Sequence, residues 1–250
     1  MKSSRPWKKQ MAIRYAYSEI LWAGYDQLIM ETIEKHALKK VCDLGGGANP
    51  VLSSDYVQQR GIEYTVLDIC KEELDKVPVA YTKVVHDIMS SEIPPCGPFD
   101  LILTKMLAEH IPDGEIFHKN IYKMLRKGGI AVHFFPTLYA LPFLLNRWSP
   151  EWMGRALLKV LAPRDRYQHD KFPARYSWCR GPTRSMQRRL EKLGYEIIEF
   201  WGLYGHRGYY LRIPFMVKVH DLIVTLLLKH PTPVLTSYAY IVLRKPEAAP

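Results

Sequence analysis

The residues best suited to chemistry cluster between positions 41 and 110. A short apolar run at 40–44 leads directly into Gly45, Gly46 and Gly47. Without a Cβ, such a stretch can turn sharply and bring backbone amides close to a ligand. Asn49 is suited to cap a following helix, with Pro50 in its first turn. A plain strand-to-helix turn is the simpler reading. A dinucleotide site is a poorer one: it wants the pattern GxGxxG, and counted from Gly45 the third glycine position holds Pro50.

Two acids sit where a nucleoside would need them. Asp68 closes the apolar run 64–68, and a carboxylate at such a strand end can accept both ribose hydroxyls. Asp87 closes the run 83–86, in reach of an adenine amino group. Either could also be an ordinary cap. Ile69 and Ile88, which follow these acids, and Thr104 and Lys105, which end the run 99–104, complete a candidate cofactor set with Asp43 and Asn49. His110, just beyond the fourth run, and His133, within the fifth, are the candidate catalytic bases. His133 alternates with apolar neighbours, a pattern that also fits a core residue. No cysteine or histidine spacing suggests a metal site. Cys42, Cys70, Cys96 and Cys179 read as free thiols of a reducing compartment, and a cytoplasmic protein is expected.

These residues need a frame. Apolar runs at 40–44, 64–68, 83–86, 99–104, 130–135, 195–201 and 237–244 predict seven strands. Helices are predicted at 114–125, stopped by Gly128 and Gly129, at 183–193, closed by Gly194, and around 215–229. Residues 12–38 read as an N-terminal helical segment, with Ile20, Leu21, Tyr25, Leu28, Ile29 and Ile33 recurring at roughly helical spacing. Strands alternating with helices imply a doubly wound, mostly parallel α/β sheet whose cleft lies at the strands' carboxyl ends. All 250 residues are expected to form one domain, interrupted by an insert at 138–182 that caps the cleft.

The insert has its own character. The chain's net charge of +10 arises entirely from residue 138 onward, because acids and bases balance before it. There, arginines such as Arg147, Arg155, Arg164 and Arg166 alternate with Trp148, Trp152 and Tyr167. Arginine forks suit phosphate or carboxylate, and aromatic rings suit ring faces or lipid interfaces. A solvated face over packed aromatics would look similar. Arg175, Tyr176, Trp178 and Arg180 are the candidate acceptor-binding residues. The stretch 215–228 could add an apolar contact with a membrane surface, although at its length it does not span one.

The motifs at 41–50, 68, 87, 99–103 and 107–111, with the 125–129 turn, resemble the class I S-adenosylmethionine-dependent methyltransferases, especially their methyltransferase-11-like branch. The resemblance covers roughly residues 38–136. It implies that Asp43 with Gly45, Gly46 and Gly47 holds the methionine part of S-adenosylmethionine, and that Asp68 and Asp87 hold its nucleoside. The triple glycine departs from many members, which carry another residue in the middle, and so do Lys105 and Met106 at the cofactor's edge.

The expected activity is methyl transfer to an oxygen, or else a nitrogen, of a small-molecule, glycan or lipid-linked acceptor. The basic cap favours an anionic or membrane-bound acceptor and peripheral contact with an inner membrane surface. A nucleic-acid methyltransferase is the first alternative, disfavoured because the fourth motif lacks the Asn/Asp-Pro-Pro-Tyr element of many base-amine methylators. A non-catalytic cofactor-binding accessory protein is the second.

Overall fold

A computed structural model of the chain describes residues 11, 13–140 and 173–247. The described strands are β1 (Ile13–Tyr17), β2 (Lys40–Leu44), β3 (Glu63–Asp68), β4 (Thr82–Val85), β5 (Phe99–Lys105), β6 (Leu125–Pro136), β7 (Glu196–Tyr204) and β8 (Tyr238–Arg244). The helices are α1 (Glu19–His36), α2 (Ser54–Arg60), α3 (Lys71–Asp75), α4 (Gly114–Met124), α5 (Arg184–Lys192) and α6 (Pro214–Lys229). They build one sheet in the order β1-β7-β8-β6-β5-β2-β3-β4. Only β8 runs antiparallel, between β6 and β7. Chain order reverses at β2, which pairs with β3 on one side and β5 on the other. Such a switch point opens a crevice at the carboxyl ends of the strands.

The sheet is built from the expected apolar runs. Leu101, Ile102 and Leu103 of β5 and Val132 and Phe134 of β6 have no exposed surface. Fully burying a side chain of this kind stabilises the fold by roughly 1.5–3 kcal/mol. Strands covered on both faces read as continuous apolar runs, which is why these two were legible.

Three local expectations need correction. The sheet has eight strands rather than seven, because residues 13–17, expected as helix, pair in parallel with β7 as β1. Ile13, Tyr15 and Tyr17 suit a strand edge, Tyr15 stacks on Tyr204 at 5.8 Å, and the helix begins only after Ser18. The α2 helix starts at Ser54, capped by the Ser53 hydroxyl, and not near Asn49. The Val51 amide is instead captured by Asp43, which keeps residues 45–52 out of a helix. The Gly128–Gly129 pair does not cap α4. That helix ends at Met124 and passes directly into β6, where Gly128 takes φ +74 and donates its amide to Lys245. Most of the proposed cap, residues 141–172, lies outside the described residues, and with it Arg147, Trp148, Trp152, Arg155, Arg164, Arg166 and Tyr167.

Candidate active site

The glycine turn leaves β2 at Leu44, and the Gly45 amide donates to the Leu67 carbonyl at 2.7 Å. Gly45 and Gly47 take φ of +76 and +46, which disfavour any side chain. Space is equally restrictive. A Cβ on Gly45 would lie 2.9 Å from the Leu107 methyls, and one on Gly46 would lie 2.8 Å from the Asp43 carboxyl carbon. The middle glycine is therefore required by Asp43, which sits under the loop with 1 % of its surface exposed. Asp43 Oδ2 accepts from the Val51 amide and the Tyr64 hydroxyl, each at 2.7 Å. The carboxylate faces inward, so it acts on a ligand through the shape of the loop. Asn49 closes a turn within that loop by donating its amide to Gly46 at 3.0 Å.

Burial pushes the Asp43 carboxyl up to about 6, against the lowering effect of its two hydrogen bonds and of nearby Lys105. A cationic ligand above the loop would favour the ionised form and lower that value. Binding of a sulfonium cofactor should therefore release a proton, and its affinity should rise with pH through about 6 and level off above it. Titration calorimetry between pH 5 and 8 in buffers of different ionisation enthalpy would read this directly. In Asp43→Asn the dependence should vanish.

Asp68, at the end of β3, accepts the Cys70 amide on Oδ1 at 2.9 Å. Its Oδ2 stands 3.4 Å from where a Gly47 Cβ would be, so the acid and the loop face each other across a gap that glycine keeps open. Ile69 beside it is 53 % exposed and offers an apolar surface. Asp87, beyond β4, is exposed and accepts the Met89 amide on Oδ1 at 2.8 Å, while Ile88 is buried in the core. The arrangement fits a nucleoside: an open loop for its tail, a strand-end carboxylate beside it and a second acid one strand further. Hydrogen bonds to a charged group contribute about 1.5–3 kcal/mol, so Asp68→Ala should weaken cofactor binding roughly 10- to 100-fold. A folded variant of undiminished affinity would remove Asp68 from the site.

Two candidates do not reach the crevice. Thr104 has no exposed surface, and its hydroxyl bonds His133 Nδ1 at 2.9 Å. His133 is equally buried, among Phe117 and His118, and burial holds its imidazole well below its usual range. Strand alternation explains both, since they are paired neighbours of β5 and β6 on the face covered by α4. Lys105, one residue on, is half-buried at the strand end. Its ammonium lies over the rings of Tyr25 and Trp22 at 5.4 and 5.9 Å.

The other side of the crevice is a short 3-10 turn, Ala108–His110, directly after β5. His110 is one-third exposed, with Nε2 3.8 Å from Glu109 Oε1. Glu109 was not anticipated. It is 4 % exposed, its Oε2 lacks a hydrogen-bond partner among the described residues, and burial pushes its carboxyl up to about 8. The only cue in the sequence is its place beside His110.

The end of the insert is clipped to this turn. The amides of Arg175 and Tyr176 both donate to the Glu109 carbonyl, at 2.6 and 2.9 Å. Tyr176 is buried and Arg175 is exposed. Arg180 stacks on Tyr139 at 5.0 Å and donates to the carbonyls of Tyr176 and Cys179. Trp178 does not join them. It packs against Gly114 and His118 under the Arg189 guanidinium, so it fastens the segment to α4. Among the described residues no cluster of His, Cys, Asp or Glu could hold a metal ion, and the four cysteines are free.

A family model described as a methyltransferase domain matches residues 17–200. Among curated proteins the chain is 28 % identical to a ubiquinone biosynthesis O-methyltransferase of Chromobacterium violaceum, over 58 % of this chain and 64 % of that one. It is also 28 % identical to a 2-methyl-6-phytyl-1,4-hydroquinone methyltransferase of a Synechocystis species, over 49 % of this chain and 38 % of that one. The chain thus spans less than two thirds of the length of these relatives. Similar folds include an S-adenosylmethionine-dependent methyltransferase of Clostridium acetobutylicum, with TM-score 0.54 and 12 % identity over 90 % of this chain and 92 % of that one. Another comes from Mesorhizobium loti, with TM-score 0.51 and 15 % identity over 89 % and 97 %.

Proposed function

Because the chain belongs to the methyltransferase domain family of class I S-adenosylmethionine-dependent enzymes, we propose that it transfers a methyl group to a hydroxyl oxygen of a small aromatic, quinol-like acceptor. The observation that carries this is the facing pair of loop and acid, Gly45–Gly47 against Asp68, at the sheet's switch point with His110 beside it. The names of the curated relatives support the acceptor class: one is a ubiquinone biosynthesis O-methyltransferase, another a 2-methyl-6-phytyl-1,4-hydroquinone methyltransferase.

In this reading Gly45, Gly46, Gly47 and Asp68 would hold S-adenosylmethionine, with Asp87 and Ile69 contributing to its nucleoside side. When bound, the cofactor supplies an electrophilic methyl group on a sulfonium sulfur. The protein's own part is to orient the acceptor, exclude water and hold a proton. Orientation alone can supply ~7–11 kcal/mol of the barrier in favourable cases. His110 takes the acceptor's hydroxyl proton at the end of β5. Lys105, held over Tyr25 and Trp22, keeps a positive charge where a developing phenolate oxygen would gain from it. Arg175, Tyr176 and Arg180 form the acceptor side of the crevice, with Arg175 the exposed contact for an anionic substituent. Charge reversal at Arg175 should raise the acceptor's KM and leave cofactor affinity intact. Loss of cofactor binding instead would make the segment a cofactor lid.

The test is a transfer assay with methyl-labelled cofactor over pools of quinols, lipids, sugars, small metabolites and RNA. Label on the oxygen of a quinol-class acceptor supports the proposal. Label in RNA would favour the nucleic-acid reading, and tight cofactor binding without transfer an accessory role.

A further inference from the structure

The α6 helix is anchored on one side and carries an uncovered apolar stripe on the other. Its inner face packs toward β7 and β1 through His220 and Val224, both buried. That face is fixed in register: the His206 amide donates to His220 Nε2 at 3.0 Å, and His220 Nδ1 pairs with Asp221 at 3.1 Å. Opposite lies the stripe Phe215, Leu222 and Leu226, with the half-buried Val219 between the first two, at the i, i+4, i+7, i+11 spacing that aligns residues along a helix. Phe215 is 72 % exposed, Leu222 62 % and Leu226 51 %, and Leu211 ahead of the helix is 64 % exposed. Solitary exposed leucines are ordinary, but a contiguous outward stripe on a helix already anchored by its other face marks an interaction surface.

Charge indicates the occupant. Lys218 and Lys229 are exposed and border the stripe, and Arg207 and Arg212 precede it. Between 207 and 230 the sole acid is Asp221, already engaged by His220 and by Arg207 at 3.6 Å. An apolar stripe edged with cations is the pattern of a helix lying in the plane of an anionic bilayer, its apolar side among the acyl chains and its lysines at the headgroups. A second copy of this chain fits less well, since it would press the same cations together.

We propose that α6, with Leu211 at its approach, docks the protein on an anionic lipid surface. The helix follows the loop that leaves the carboxyl end of β7, the edge of the sheet that carries the glycine loop and His110. Docking on α6 therefore sets that edge beside the bilayer. Such docking needs no particular acceptor.

The experiment is co-sedimentation of the full chain with vesicles of phosphatidylcholine alone or with about a third phosphatidylglycerol. Wild-type protein should sediment with the anionic vesicles only and be released partly by high salt. Leu222→Glu/Leu226→Glu should lower partitioning at least tenfold, and Lys218→Glu/Lys229→Glu should abolish the preference for anionic vesicles. Cofactor affinity and thermal stability, measured on the same samples, should stay unchanged. Failure here thus stays distinct from failure of the methyltransferase reading. Vesicle binding that survives both double variants would overturn the proposal. So would a wild type that ignores vesicles and is dimeric in size-exclusion chromatography, with the leucine variant monomeric, because the stripe would then be a contact between copies.

Discussion

His110→Ala is expected to lower turnover by about 10²-fold or more while cofactor affinity stays within about twofold. The expectation follows from position. Asp68 and the glycine loop flank β2 and β3, whereas His110 stands beyond β5, across the switch point from them. It is partly exposed there, unlike His133 and His118, which lie fully in the core. On the proposed reading a base in this place would touch the acceptor and not the nucleoside, so its removal should affect kcat much more than cofactor binding. A hundredfold loss corresponds to about 2.7 kcal/mol of transition-state stabilisation. Stopped single-turnover assays with cofactor prebound would separate the chemical step from release. His110→Gln, which keeps a polar side chain but takes no proton at neutral pH, should be nearly as impaired. A His110→Ala enzyme retaining most of its turnover would remove this residue from the mechanism.

Glu109→Gln should stabilise the protein by roughly 4 kcal/mol near pH 7.5. The free carboxyl titrates near 4.5, and burial pushes the folded one up to about 8. Between those values the native state holds a proton that the unfolded state has lost. Wild-type stability should therefore fall as pH rises from about 4.5 to about 8 and level off above that. A neutral glutamine carries no such penalty, so the gap between variant and wild type opens through this window and is largest at its upper end. For a chain of this size each kcal/mol corresponds to about 2–4 °C in Tm, which makes the shift easy to follow by calorimetry across pH. A gap independent of pH, or a variant less stable than wild type at pH 8, would show that Glu109 is paired and charged in the folded protein. The penalty falls on the turn that carries His110 and receives the amides of Arg175 and Tyr176, where strain tolerated for function is expected to collect.

The legible parts of this fold were those where a residue's local surroundings are also its final ones. Strands β2, β3 and β5 are apolar on both faces, and the glycine turn needs its φ values whatever surrounds it. The strand-end acids Asp68 and Asp87 follow from the same pattern. Less legible were features created by distant partners. Residues 13–17 form a strand because β7 offers them an edge. The helix after the glycine loop starts late because Asp43, held across β2 and β3 by the Tyr64 hydroxyl, claims the Val51 amide. Thr104 and His133 are candidates by type, but strand alternation turns both toward α4. Trp178 is an aromatic in a basic segment until Gly114 gives it a seat. Glu109 has no sequence signal beyond its neighbour, because its raised carboxyl pKa comes from burial beneath the strap at 173–182.

The proposed methyl transfer depends on the loop and acid of the switch point. The most direct measurement is mass spectrometry of a quinol-class acceptor after incubation with S-adenosylmethionine and either wild-type protein or Asp68→Ala. The acceptor should gain the mass of one methyl group on oxygen with the wild type, and the variant should match that rate only when cofactor is raised in proportion to its weakened affinity. An unmodified acceptor in the presence of tightly bound cofactor, or transfer by Asp68→Ala at wild-type cofactor concentrations, would contradict the account.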